Sequence, residues 1–112
     1  MATTPIVLSA AKTTTGQTGT LRLGLIVQLN ILANVTAVSG TTPTLTLSVE
    51  WSHNAGTTWF KADPADAFTQ ITATGAVTKQ FATKAEWFRV VWTIGGTTPS
   101  FTFTLDTHYT PV

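Results

Sequence analysis

Hydrophobic and polar residues alternate with a period of two over much of this chain. From Thr44 to Trp51, Leu45, Leu47, Val49 and Trp51 fall on one side, and Thr44, Thr46, Ser48 and Glu50 on the other. From Ser100 to Thr107, Phe101, Phe103 and Leu105 oppose Ser100, Thr102, Thr104 and Asp106. From Glu86 to Ile94, Phe88, Val90, Trp92 and Ile94 form one face, and Trp87, Arg89, Val91 and Thr93 the other. Successive side chains of a strand point to opposite faces, so this alternation predicts strands with one buried and one wet side. The stretch Leu21 to Val38 keeps the same period through Leu21, Leu23, Leu25, Val27, Leu29 and Ile31. It reads as a long strand with a break or bulge near Asn30 to Asn34. Weaker strands are expected at Pro5 to Ala10, Ala67 to Thr74 and Ala76 to Thr83, the last two as a hairpin around Gly75.

Gly and Pro punctuate this pattern in a repeated way. Val38 to Glu50 aligns without gaps on Ile94 to Asp106, with Gly-Thr-Thr-Pro identical in both copies. Each copy reads as strand, tight turn, strand, because glycine permits positive φ and proline ends a ladder. Ser52-His53-Asn54-Ala55-Gly56-Thr57-Thr58-Trp59 has Asp-box spacing, with Asn54 in place of the Asp. Asp-box families include sialidases, which carry several copies on a large propeller. A single copy here reads as a hairpin turn, with Asn54 accepting from backbone N–H groups. Residues 13–19 are rich in Thr and Gly and read as a flexible connector. The expected organisation is therefore an N-terminal arm and connector over 1–19 and a β-sandwich domain over 20–112.

Composition narrows the function. The 112 residues include no Cys, 6 Lys+Arg and 5 Asp+Glu, and 26 Thr, for a net charge of +1. This length gives one domain. Disulfide frameworks and Cys-based zinc sites are excluded. The near-neutral balance argues against direct nucleic-acid binding, which needs a basic field. A surface poor in charge does little to oppose association, which points towards life in an assembly. Neither a signal peptide nor a transmembrane helix is expected: the N-terminus lacks a basic leader pattern, and Arg22, Gln28, Asn30 and Asn34 interrupt the longest apolar stretch.

Candidate chemistry is sparse. His53 and His108 are the two histidines, and no metal-ligand spacing joins them. Glu50 and Asp106 occupy equivalent repeat positions on outward faces, poor places to raise a carboxyl pKa for glycoside hydrolysis. Asp63-Pro64-Ala65-Asp66 lacks the ligand density of a calcium loop and reads as a turn. No catalytic, cofactor or metal residue is assigned, and no enzyme activity is expected. Trp51 and Trp92 fall on inward registers, and Trp59 supports its turn. Trp87 falls outward beside Arg89, the composition of an interface anchor.

The segments Val38-Ser39-Gly40-Thr41-Thr42-Pro43-Thr44, Trp51 to Trp59, Phe88-Arg89-Val90-Val91-Trp92 and Gly96-Thr97-Thr98-Pro99 together resemble small β-sandwich virion proteins of tailed bacteriophages. Among these, capsid decoration (cement) proteins have about this size. The resemblance implies a non-enzymatic structural protein, made in the host cytoplasm, that binds the outer capsid surface and stabilises the shell, often as a trimer. Its partners would be the major capsid protein or another virion protein, with no membrane contact. The fold expected is a single antiparallel β-sandwich of about seven to nine strands with Greek-key or jelly-roll-like connections and an extended N-terminal arm. The partner-binding residues expected are Pro5, Ile6, Val7 and Leu8, through strand addition by the arm, together with Trp87 and Arg89. The alternative is a carbohydrate-binding or adhesion module of a phage tail or cell surface, with Trp87 or Trp59 stacking on a sugar.

Overall fold

The computed structural model describes residues 3–23 and 27–111; the side chains of 3–5, 8, 27 and 109–111 lie outside the description. The described residues contain no helix and form six antiparallel strands: β1 (Thr3–Lys12), β2 (Gly16–Gln17), β3 (Leu21–Arg22), β4 (Val27–Ser52), β5 (Gly75–Phe81) and β6 (Trp87–Pro111). The all-β, antiparallel class expected from the alternation is what the chain adopts. The strands belong to one continuous sheet, in the order β1-β6-β4-β5, with β2 and β3 also paired to β6.

Two very long strands organise everything else. β4 and β6 run antiparallel along their whole lengths, from Val27 opposite Pro111 to Ser52 opposite Trp87. Phe103 and Trp92 lie eleven positions apart on β6, a span of roughly 36 Å in a straight strand. Their rings nevertheless meet edge to face, with centroids 5.8 Å apart. The ribbon therefore curls back on itself, and its inward residues form one core. Leu29, Ile31 and Val35 from one half of the ribbon are buried with Leu45, Leu47, Val49, Trp51, Phe88 and Val90 from the other. Phe101, Phe103 and Leu105 complete this core. The inward sets predicted for the strands at 44–51, 88–92 and 101–105 are the buried ones, and Ile94 packs against them partly exposed.

The bend is made by the two Gly-Thr-Thr-Pro segments, and their role differs from the sequence expectation. They are not the turns of two hairpins. They lie opposite each other, Thr41 paired with Thr97, at the midpoint of the ribbon. Gly40 and Gly96 have φ of 110° and 113°, and Thr42 and Thr98 have φ of 48° and 45°. A Cβ on Gly40 would stand 2.7 Å from Thr98 O, and one on Gly96 would stand 2.7 Å from Thr42 O. Glycine is required here because two backbones cross in contact.

The crossing is the centre of an approximate two-fold. The offset that carries Gly40 to Gly96, 56 positions, also carries the pair Val38–Phe101 onto Ile94–Leu45. It carries Thr4 opposite Thr107 onto Phe60 opposite Trp51. It brings Leu21 opposite Phe88 to within one residue of Thr78 opposite Leu32. The internal repeat thus extends well beyond the aligned segment, and each copy contributes strands to both halves of the curl.

Four further expectations are corrected. Residues 3–12 do not stand apart as an arm: β1 pairs with β6 from Thr3 opposite His108 to Lys12 opposite Phe101. Residues 13–19 are not a loose connector. Gly16 and Gln17 pair with Trp92 and Val91, and the hydroxyls of Thr18 and Thr15 accept from Val90 N and Ile94 N at 3.1 Å. The break or bulge foreseen near Asn30 to Asn34 falls just beyond it, where the register of β4 with β6 shifts between Val35 and Ala37. Residues 67–83 form no hairpin: β5 pairs with β4, while Ala67 and Ile71 make single bridges to Ser48 and Leu45.

Candidate interaction surfaces

The outer face of the β3-β6-β4 half carries two aromatic–guanidinium–carboxylate stacks. Register creates the first. Glu50 and Arg89 are directly opposed on β4 and β6, so their side chains meet: Arg89 Nε and Nη2 both lie 2.7 Å from Glu50 Oε1. The two side chains are 20% and 15% exposed, so this pair is sheltered enough to outrank an ordinary surface bridge. The guanidinium also lies 4.3 Å from the centroid of the Trp59 ring. Trp59 is delivered by the preceding turn, built as its sequence predicts. Asn54 Oδ1 accepts from Thr58 N at 2.8 Å and from Ser52 Oγ at 2.9 Å, and Ser52 Oγ accepts from Gly56 N at 2.9 Å.

The second stack follows from Arg22 lying opposite Trp87. The Arg22 guanidinium lies 5.5 Å from the Trp87 ring centroid and is paired with Glu86. Trp87 is outward, as its register predicts, but it is only partly exposed. Arg89 is committed to Glu50 and Trp59, so Trp87 and Arg89 do not form one free anchor. Each instead belongs to its own stack. Arg22 is the residue that sequence reasoning passed over; its isolation between Leu21 and Leu23, both inward, was the available signal.

Two of the four arm residues, Ile6 and Val7, pack within their own chain. Val7 is buried in the core and Ile6 packs against it. Pro5 lies opposite Asp106 on β6. The side chains of Pro5 and Leu8 lie outside the described residues. Strand addition to a neighbour would have to use the side of β1 that faces away from β6.

Nothing in the described residues converges on chemistry. His53 is exposed and stacks on Phe60, with ring centroids 4.9 Å apart. His108 lies opposite Asn30 and Thr3. Glu50 and Asp106 do not come together: Glu50 faces Arg89, while Asp106, in the other half of the curl, lies opposite Leu32 and Pro5. Asp66 accepts from Trp51 Nε1 and pairs with Lys84. No group of three His, Cys, Asp or Glu able to hold a metal occurs among the described residues. No family model, curated protein or solved structure matches the chain.

Proposed function

We propose that this protein is a non-enzymatic structural subunit of a tailed-phage virion, a decoration protein bound to the outer capsid shell. The observation that supports this reading is how the charge is used. Arg22, Lys84 and Arg89 are each paired with a carboxylate of the same chain. The outward strand faces between them present Thr, Ser, Asn and Gln. A neutral hydroxyl and amide surface sets up little repulsion between closely spaced copies, and it has little field to attract nucleic acid. The expected partners are the major capsid protein and further copies of this chain.

The test is a search for the protein in purified particles of the phage that encodes it, by mass spectrometry and cryo-EM. Density of this fold on the shell exterior is the expected outcome. Absence of the chain from intact particles defeats the proposal, and density on the tail moves it to another virion site. Removing residues 1–12 is a poor probe of attachment, because it strips β1 and Val7 from the fold. A glycan-binding role would need an open indole face, and both Trp59 and Trp87 carry a guanidinium over the ring. A glycan array with the wild type and Trp87→Ala separates that role: sugar binding lost on substitution would favour it over decoration.

A further inference from the structure

We infer that β5 is a dimerisation edge, at which a second copy of this chain adds its own β5 antiparallel and continues the sheet. The approximate two-fold supplies an internal control, because each kind of outer strand occurs twice. Three of the four outer strands are spoiled as templates. β1 carries Pro5, which has no N–H, and its register shifts twice, between Pro5 and Val7 and between Val7 and Ala10. The segment equivalent to β1, residues 59–68, meets β4 at the isolated bridges of Phe60 and Ala67, with Pro64 in between. Of the segment equivalent to β5, residues 19–25, the described part pairs with β6 through the two-residue strand β3. These are the devices by which proteins blunt a sheet edge.

β5 has none of them. Gly75–Phe81 pairs with β4 in unbroken register, from Leu29 opposite Phe81 to Val35 opposite Gly75. It contains no Pro and no bulge, and no strand pairs with its other side among the described residues. Residues 75–80 are exposed. The one charge on the strand does not stand guard: Lys79 Nζ is drawn back over the Phe81 ring and donates to Ala67 O at 2.6 Å. The two exposed large hydrophobic residues among those described, Val77 at 41% and Leu32 at 38%, both lie at this edge, one on each face of the sheet.

The strand is also self-complementary. A two-fold antiparallel pairing centred on Thr78 sets Thr78 opposite Thr78, Val77 opposite Lys79 and Ala76 opposite Gln80. No charge then faces a like charge, and the open backbone groups of each edge satisfy those of the other. The chain's net charge of +1 adds little repulsion between copies. This inference is independent of the virion reading, and its test needs no particle.

That test uses the full chain in sedimentation velocity across micromolar concentrations. The wild type should show a concentration-dependent dimer. Val77→Lys places a lysine opposite the partner's Lys79 and should weaken the dimer about tenfold, as expected for two like-charge pairs per interface. Val77→Glu places a carboxylate there and should leave the dimer intact or tighten it. Val77 is outside the core, so both variants should keep the wild-type circular dichroism. Thr78→Cys, in a chain with no other cysteine, should oxidise to a disulfide-linked dimer, while Arg22→Cys on the blunted equivalent edge should not. A monomer at every concentration, equal effects of Val77→Lys and Val77→Glu, or equal cross-linking of the two cysteine variants would overturn the inference.

Discussion

Asp66 serves one buried and one exposed partner with its two oxygens. Oδ2 accepts from Trp51 Nε1 at 2.8 Å, and Oδ1 pairs with Lys84 at 2.9 Å. Trp51 is fully buried, so its indole N–H has no route to water if the acceptor goes. Asp66→Ala is therefore expected to destabilise the fold by about 1–3 kcal/mol, the cost of one stranded buried donor. Lys84→Ala removes only a partly exposed partner and should cost under about 1 kcal/mol. Urea unfolding of both variants checks the contrast, and similar losses would mean that the ion pair, not the indole contact, dominates. Arg89 makes a different point about side-chain shape. A flat guanidinium can lie on Trp59 while its Nε and Nη2 reach Glu50, whereas an ammonium cannot do both. Arg89→Lys should thus recover less than half of the stability lost in Arg89→Ala. Full recovery in the same unfolding experiment would reduce the stack to a point charge.

At the scale of elements, the Gly-Thr-Thr-Pro crossing concentrates the backbone cost of the fold. Gly40→Ala and Gly96→Ala each place a methyl group against a carbonyl oxygen at 2.7 Å, at a φ that L residues avoid. Each should cost about 2–4 kcal/mol, from strain together with the clash. Because the two positions are related by the pseudo-two-fold, the two losses should agree closely in thermal or urea unfolding; a large loss at one site alone would show that the crossing is not symmetric. The same crossing marks what the sequence could not reveal. Period-two alternation is a local signal, and it identified the buried sets at 45–51, 88–92 and 101–105. A glycine three residues before a proline is equally local, and it looks the same in a hairpin turn and in a strand that must let another backbone pass. Only the pairing of Thr41 with Thr97, across more than fifty residues of chain, distinguishes them. Asn30 and Asn34 set the expected bulge too early for a related reason: on the wet face of a strand an amide is no break. The stacks on Trp59 and Trp87 were half legible, since registers placed the rings outward but could not say which arginine would cover each.

The whole molecule is best understood as two interleaved copies related across one crossing. Trp51 opposite Phe60 is closed by residues 52–59. Its counterpart, Thr107 opposite Thr4, pairs residues far apart in the chain. If Val112 were joined directly to Met1, residues 108–112 and 1–3 would bridge that second pair with a connection of the same length. A circular permutant closed in this way and opened between Gly56 and Thr57 exchanges one turn for its equivalent while leaving β4, β6 and their crossing intact. It gives up the hydrogen bonds of Asn54 to Thr57 and Thr58, which limits its loss to about 1–3 kcal/mol. It should therefore show the wild-type circular dichroism and a cooperative urea transition. A permutant opened between Thr41 and Thr42 cuts the ribbon at its centre, where both copies depend on the close approach of two backbones, and should not fold. Comparable stability in the two permutants would show that the crossing does not organise the molecule. Cooperative folding of the first alone would establish that the repeat is a unit of architecture.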